Sequence, residues 1–479
     1  MSTPTLIKPL PLLGACLLLS ACATPATPPQ HGVHTPARWQ AATPQSTPRH
    51  LTGWWQSFGS PALNQLVEQA RTDSFEVGAA MARVRQAQAD AVIAGGPLLP
   101  EVTGAANANR ERLQHGNGYS QLNSSPTQRT THYLDVALKA SYEVDFWGGN
   151  AAARESALHG LQASEFDRAT VELTLLGKVA DSYMQALAFQ QQGRIADLNL
   201  ANAERVLQLV QTRFDAGSAT ALELAQQQSL VATQQRQRPL YQQQAREALI
   251  TLATLVGQPV QDLQLGHTRF EQLNWPSIDA GLPSELISRR PDIANAEAKL
   301  AAAQANVRVA RAAMLPKLNL TLIVGSGADH FPDVLRNPFT SLAAGLVTPV
   351  FNNGRLRAER DKAVAIQEEL LQNYRGAILA GFGDVEKALN TLDGIDRQLH
   401  WQAIELQQAR KAFDIAESRY QAGAEDLLTV LQTQRTLYQA QDEDVQLRLK
   451  RVMGSIALYK ALGGGWQVAG AEPGAAPGA

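Results

Sequence analysis

Cysteine is nearly absent: Cys16 and Cys22 are the two in 479 residues. Both lie in the opening stretch, so the rest of the chain has neither a disulfide nor a thiolate metal site. Charge of one sign is absent too, with 42 Lys and Arg against 44 Asp and Glu and a formal net charge of −2. That excludes the basic footprint of a nucleic-acid partner. Beyond the opening stretch no run reaches the roughly 18 apolar residues of a membrane-spanning helix, so any membrane is crossed by strands. Catalytic signatures are missing as well: there is no H-E-x-x-H, no G-x-S-x-G, no P-loop and no paired-Cys site. Gly116-Asn-Gly118 and Gly325-Ser-Gly327 begin a dinucleotide-like pattern but lack its third glycine. The nine histidines are scattered without metal-ligand spacing, so no enzyme, metal or diffusible cofactor is expected.

What is present begins with a polar start carrying Lys8, an apolar run from Pro9 to Leu19, and the small residues Ser20 and Ala21. That is the layout of a secretory signal peptide. Leu19-Ser20-Ala21-Cys22 resembles the lipobox of bacterial lipoproteins, which makes Cys22 the expected lipid anchor (a covalent acyl group such as palmitate) and residues 1–21 the expected signal. A plain signal peptide with an incidental Cys is the alternative.

The chain repeats itself. Arg213-Phe-Asp-Ala-Gly217 returns as Arg419-Tyr-Gln-Ala-Gly423, and Leu255-Val-Gly257 as Ala461-Leu-Gly463, both at an offset of 206. Tyr142-Glu-Val-Asp-Phe-Trp-Gly148 faces Thr348-Pro-Val-Phe-Asn-Asn-Gly354, with Phe146 and Phe351 offset by 205. Pro100 and Pro316 are offset by 216, so the first half carries eleven extra residues between Pro100 and Phe146, as one longer loop would produce.

Proline is missing between Pro126 and Pro239 and again between Pro349 and Pro473, which permits very long helices. Leu173, Leu176, Ala180, Tyr183 and Leu187, and in the second half Phe382, Val385, Leu389 and Leu392, step by three and four as coiled-coil seams do. From Asn150 to Phe214 that is roughly 100 Å of rod. Gly217 and Gly423 sit where a helix C-cap needs positive φ, so each half is a helical hairpin. A shorter helical segment precedes each, Pro61 to Ile93 and Pro291 to Ala313. Arg289-Arg-Pro-Asp292 reads as a helix start with Pro291 at its first position.

Between Tyr133 and Phe146 the period is two, with Leu134, Val136, Leu138, Ala140, Tyr142, Val144 and Phe146 on one face and Asp135, Lys139, Ser141, Glu143 and Asp145 on the other. Leu318, Leu320, Leu322 and Val324 repeat it, and Glu101 to Arg110 and Phe339 to Val350 are weaker partners. Such alternation suits strands with lipid on one side and water on the other. Four strands cannot close in hydrocarbon, so two or more copies must pool them. A soluble sandwich is the alternative for these strands.

Leu282-Pro-Ser-Glu-Leu-Ile-Ser-Arg-Arg-Pro-Asp-Ile293, Ala296 to Asn306, Val309 to Pro316, Tyr142 to Gly148, Phe351 to Arg355 and both Arg-aromatic-x-x-Gly turns resemble the NodT-like lipoprotein branch of the TolC outer-membrane efflux family. The resemblance covers nearly the whole chain after the signal. It implies a homotrimer with a twelve-stranded β-barrel in the outer membrane, a coiled-coil α-barrel of twelve helices in the periplasm, and a mixed collar built partly from the chain ends. It also implies a passive duct for small molecules delivered by an inner-membrane pump through a periplasmic adaptor (a membrane fusion protein). The lack of an Asp after Cys22, where Ala23 stands, favours the outer membrane by the same resemblance.

Carried over residue by residue, Arg213, Gly217, Arg419 and Gly423 are the expected adaptor-docking residues, and Glu425 and Asp426 the expected periplasmic gate. The bland readings are helix caps for the glycines and first-turn acids for the carboxylates. Thr429 and Gln432 occupy positions where some relatives place carboxylates. The expected organisation is a signal at 1–21, a lipid-anchored segment at 22–60, a first repeat at 61–282, a second at 283–465 and a disordered tail at 466–479. Strands are expected at about 101–112, 132–146, 317–327 and 339–350, and long helices at about 149–214, 219–256, 354–421 and 425–462. A lipid-anchored periplasmic adaptor or scaffold without a barrel is the competing function.

Overall fold

The structure, a computed structural model, describes residues 32–41, 52–112 and 130–466. Cys22, the signal segment, the loop 113–129 and the tail beyond Trp466 lie outside them. The chain divides into a unit ending at His34 and a unit from Thr35 onward, and all that follows concerns the second.

Eight α-helices and four strands carry the described fold: α1 Pro61–Asp73, α2 Phe75–Gly95, β1 Glu101–Arg112, β2 Thr130–Val144, α3 Gly149–Asp215, α4 Ala221–Leu255, α5 Pro283–Arg289, α6 Pro291–Ala312, β3 Lys317–Ala328, β4 Pro338–Val347, α7 Arg355–Gln421 and α8 Leu427–Ala461. The two halves match in their rods, with α3 and α7 each 67 residues and α4 and α8 each 35. Each long rod packs along its tip half against the returning helix of its hairpin. Nearer the sheet α3 packs against α2 and α6, and α7 against α6.

The rods start from a shared device. Gly148 and Gly354 are N-caps with φ 69° and 80°, which glycine reaches without strain. The Asp145 carboxylate accepts from the backbone N–H groups of Asn150 at 3.1 Å and Ala151 at 2.8 Å. Asn352 Oδ1 accepts from Leu356 N–H in the second half. These are orphan donors of a helix start, which gives the Tyr142–Gly148 and Phe351–Arg355 motifs a physical role in turning strand into rod. Trp147 Nε1 ties the junction to the Pro316 carbonyl at 2.7 Å.

Several expectations need correction. The helical segment from Pro61 is two helices, because Ser74 is extended (φ −67°, ψ 129°). The Gly257 turn rests there, at φ +77° and so close that a Cβ would lie 2.6 Å from the Asp73 carbonyl oxygen. Strand β2 ends at Val144 because Asp145 is engaged in capping, and β4 ends at Val347, short of Pro349, which has no N–H for a ladder. The surplus of the first half is not confined to a loop: 17 residues separate β1 from β2 against nine between β3 and β4, and β2 is 15 residues long against ten for β4. Helix α4 runs through Pro239, which is exposed, so the carbonyl left without its N–H partner faces solvent.

The sheet has the order β1-β2-β3-β4 with every pair antiparallel. Its register sorts the side chains. Ala106, Val136 and Ser326 are paired in one row; Gly104, Leu138, Val324 and Thr340 in the next; and Val102, Ala140, Leu322 and Leu342 in a third. The opposite face pairs Asn107 with Asp135, Thr103 with Lys139 and Glu143 with Asn319. Both edge strands, β1 and β4, are exposed throughout.

About midway along the rods, where α8 ends, residues from near both ends of the described chain are gathered. The Trp54 ring stacks on Tyr459 of α8 with centroids 5.2 Å apart, and Trp466 meets Phe166 of α3 edge-on at 5.5 Å. Arg290 is 11% exposed. Its guanidinium reaches Asp292 at 2.7 Å, Asp384 of α7 at 3.0 Å and the Ala461 carbonyl at the end of α8 at 3.3 Å. The Arg289-Arg-Pro-Asp292 stretch is thus a helix start with Pro291 in the first turn, and also a clamp across three helices.

Candidate functional site

The two hairpin turns lie together at the end of the rods remote from the sheet. In the first, Gly217 has φ 73°, Ser218 N–H donates to the Arg213 carbonyl at 2.8 Å and Gly217 N–H to the Phe214 carbonyl at 2.9 Å. In the second, Gly423 has φ 76° and Ala424 N–H donates to the Arg419 carbonyl at 2.9 Å. These are the reciprocal bonds of a glycine-terminated helix. Helix α4 then starts with a capping box, Thr220 accepting from Glu223 N–H at 3.2 Å and Glu223 accepting from Thr220 N–H at 2.6 Å. Helix α8 starts on Asp426, whose carboxylate accepts from Thr429 N–H at 2.8 Å.

The candidate residues are therefore engaged within the turns. Arg213 lies over the Tyr420 ring, its guanidinium carbon 4.4 Å from the centroid, and joins the first turn to the second. Arg419 folds back on its own turn, meeting Glu425 and the Ala424 carbonyl, each at 3.2 Å. The hydrogen bond from the Thr429 backbone N–H holds the fully exposed Asp426 carboxyl below the usual carboxylate range. Gly217 has open space where a Cβ would stand, so its positive φ alone selects glycine. Tyr420, as the seat of Arg213, was not a sequence candidate, since 207 positions separate the two residues. Beneath the turns Val206, Val210, Leu230, Phe413, Leu427 and Val430 form a buried core joining both hairpins.

Deeper along the rods two carboxylates are drawn into the packing. Asp442 of α8 accepts from Gln192 of α3 and Tyr241 of α4, each at 2.6 Å. Burial, then the hydrogen bond to Asp442 and its charge, push the Tyr241 phenol well above its ordinary range. Asp181 of α3 has a buried Oδ1 with no hydrogen-bond partner among the described residues. Burial raises its pKa from 3.8 to about 6, against the pull of Lys460. The stem of Lys460 lies against Gly177, one helical turn from Asp181. No group of three or more His, Cys, Asp or Glu that could hold a metal ion occurs among the described residues. No described helix is long and apolar enough to cross a membrane.

A sheet with one apolar and one polar face, set on long paired rods, is the build of an outer-membrane channel subunit. The chain belongs to the outer membrane efflux protein family, whose match covers residues 66–258 and 282–464, one stretch in each repeat. It is 59% identical over 462 residues to the pyoverdine export outer membrane protein OpmQ of Pseudomonas aeruginosa, covering 96% of this chain and 98% of the relative. Among solved structures it resembles the outer-membrane channel OprN, with a TM-score of 0.83 and 27% identity over 92% of this chain and all of that one. The open-state MtrE outer membrane channel of Neisseria gonorrhoeae follows, with a TM-score of 0.82 and 26% identity over 92% of this chain and 97% of that one. The protein is an outer-membrane efflux channel, a transport duct and not an enzyme.

Proposed function

We propose that three copies close one twelve-stranded barrel, each β4 pairing with the β1 of the next copy, with the apolar rows toward lipid and the Asp135 and Lys139 face toward a wet lumen. The observation that carries this is the sheet itself: four antiparallel strands with sorted faces and two exposed edges. Unpaired backbone groups at those edges are not tolerated in hydrocarbon, and closure by neighbouring copies removes them. The rods then pool into a periplasmic tunnel, and the clustered turns meet a periplasmic adaptor bound to an inner-membrane pump. Arg419, Gly217 and Gly423 are the docking residues. Arg213 supports them through Tyr420. Glu425 and Asp426 ring the tunnel mouth, and an acyl group on Cys22 holds the chain to the outer membrane.

The cargo we infer from the OpmQ relatives is pyoverdine. Cross-linking and mass measurement of the detergent-purified protein should give a trimer whose Cys22 carries the lipid mass. Expression in a Pseudomonas aeruginosa strain lacking OpmQ should restore pyoverdine to the medium. A water-soluble monomer after removal of the acyl group would end the barrel reading. A trimer that restores no export would end the cargo assignment alone.

A further inference from the structure

Strand β3 carries Gly325 and Gly327 on the polar face, paired with Ala137 and Asp135 of β2. Each is covered by an aromatic ring. A Cβ on Gly327 would lie 2.7 Å from Tyr133 Oη and 3.0 Å from both its Cζ and the Leu134 carbonyl oxygen, and one on Gly325 would lie 3.0 Å from Phe339 Cζ and 2.9 Å from Ala137 Cβ and the Val136 carbonyl oxygen. Tyr133 thus folds over β3 from β2, and Phe339 from β4, so both side chains lie along the wall rather than stand out from it. Both remain partly exposed, at 44% and 40%.

Along the described strands the charge beside the rings is one-sided, and in the described loop next to Phe339 the cation Arg336 is paired with Asp333 at 3.0 Å. In the strand ends remote from the rods this face carries Asp135 and Glu111 and no Lys or Arg. Arg110 and Arg112 alternate onto the opposite face, and Lys139 and Lys317 lie further toward the rods, the latter 3.0 Å from Glu143. Asp135 accepts a hydrogen bond from Asn107 at 3.1 Å, which fixes its carboxylate beside the ring-covered glycines.

We propose that Tyr133, Phe339 and Asp135 form a patch in the outer part of the lumen that binds organic cations bearing a planar aromatic ring. The inference rests on the proposed reading that this face lines the duct. Rings stack on aromatic solutes and attract positive charge, and a carboxylate beside them adds to that attraction. An aromatic side chain laid over a strand glycine also stabilises a sheet; leucine keeps apolar cover there but removes the ring face, so a loss of discrimination with open-channel conductance retained separates the two roles.

The test uses the purified full-length protein in planar bilayers, with single-channel currents read while three probes of similar size are added. Benzyltrimethylammonium should interrupt the current with dwell times about three- to tenfold longer than its saturated cyclohexyl analogue. Benzenesulfonate should not dwell longer than the saturated cation. Y133L and F339L should each reduce the ratio between the two cations, and the double variant should abolish it with open-channel conductance retained. D135N should shorten the dwell of both cations alike. Equal dwell times for the two cations on the unaltered protein, or a ratio that survives both leucines, would overturn the patch. An unaltered protein that is a monomer in detergent would instead refute the barrel reading beneath it.

Discussion

Asp181 gives a stability prediction with a definite sign. Its carboxyl is half-hidden among the rods with one oxygen unpartnered, and its pKa stands at about 6 against 3.8 for an ordinary Asp. At ~1.4 kcal/mol for each pKa unit, ionising it costs about 3 kcal/mol more in the fold than in the unfolded chain. Below 3.8 both states hold the proton and the cost vanishes; it grows as pH rises and is complete above about 6. Asp181→Asn removes the charge and keeps the shape. The variant should match the parent near pH 4 and exceed it by about 3 kcal/mol at neutral pH, or ~3 °C in melting temperature. Thermal unfolding of the detergent-purified protein at matched scan rates, followed by helical circular dichroism, reads this difference. Lys460→Gln should act oppositely at neutral pH, because it removes the cation that opposes the burial effect. A gain in the Asn variant that is equal at both pH values, or a loss at neutral pH, would refute the account of Asp181 as an ionised group held at a cost.

Arg290→Leu should cost about 2 kcal/mol in the same melting experiment, less than a fully buried pair because Asp292 and Asp384 are 38% and 48% exposed. Gly463→Ala places a Cβ against the Arg289 carbonyl oxygen at φ +86° and should cost at least about 2 kcal/mol. Gly217→Ala, at φ +73° in open space, should cost only about 1 kcal/mol. Paired melts of the two alanine variants check the difference. Glu425→Gln with Asp426→Asn should alter single-channel conductance or cation preference while helix α8 stays capped, since Asn caps as well as Asp; unchanged currents would remove both from the gate.

The rods, the turns and the sheet faces were legible because each rests on local periodicity: no proline, a three-four seam, a glycine where φ turns positive, and strict alternation through Leu134–Val144. The break at Ser74 was not. The apolar spacing runs on through it, and what marks it is the Gly257 turn, far away in sequence, lying on the Asp73 carbonyl. Gly325-Ser-Gly327 looked like a fragment of a nucleotide-binding turn. The structure instead shows two strand residues whose smallness leaves room for the close approach of β2, through Ala137 and the Val136 and Leu134 carbonyls, and for the Tyr133 and Phe339 rings. The turns that hold the docking and gate candidates were legible, and so was the helix-start reading of Asp426, which caps onto Thr429; the seat of Arg213 on Tyr420 was not. Contacts between residues more than two hundred positions apart leave no mark in the spacing of either.

The equal lengths of the rods in the two halves have a consequence for how this chain can vary. A residue inserted in α3 alone would lower its turn by about 1.5 Å beside its twin and swing the following side chains by about 100° around the axis. The Arg213 and Tyr420 sides of the joint would then slide past each other. Lengthening or shortening is tolerated only when both halves change in step, so rod length behaves as one shared trait written twice in the gene.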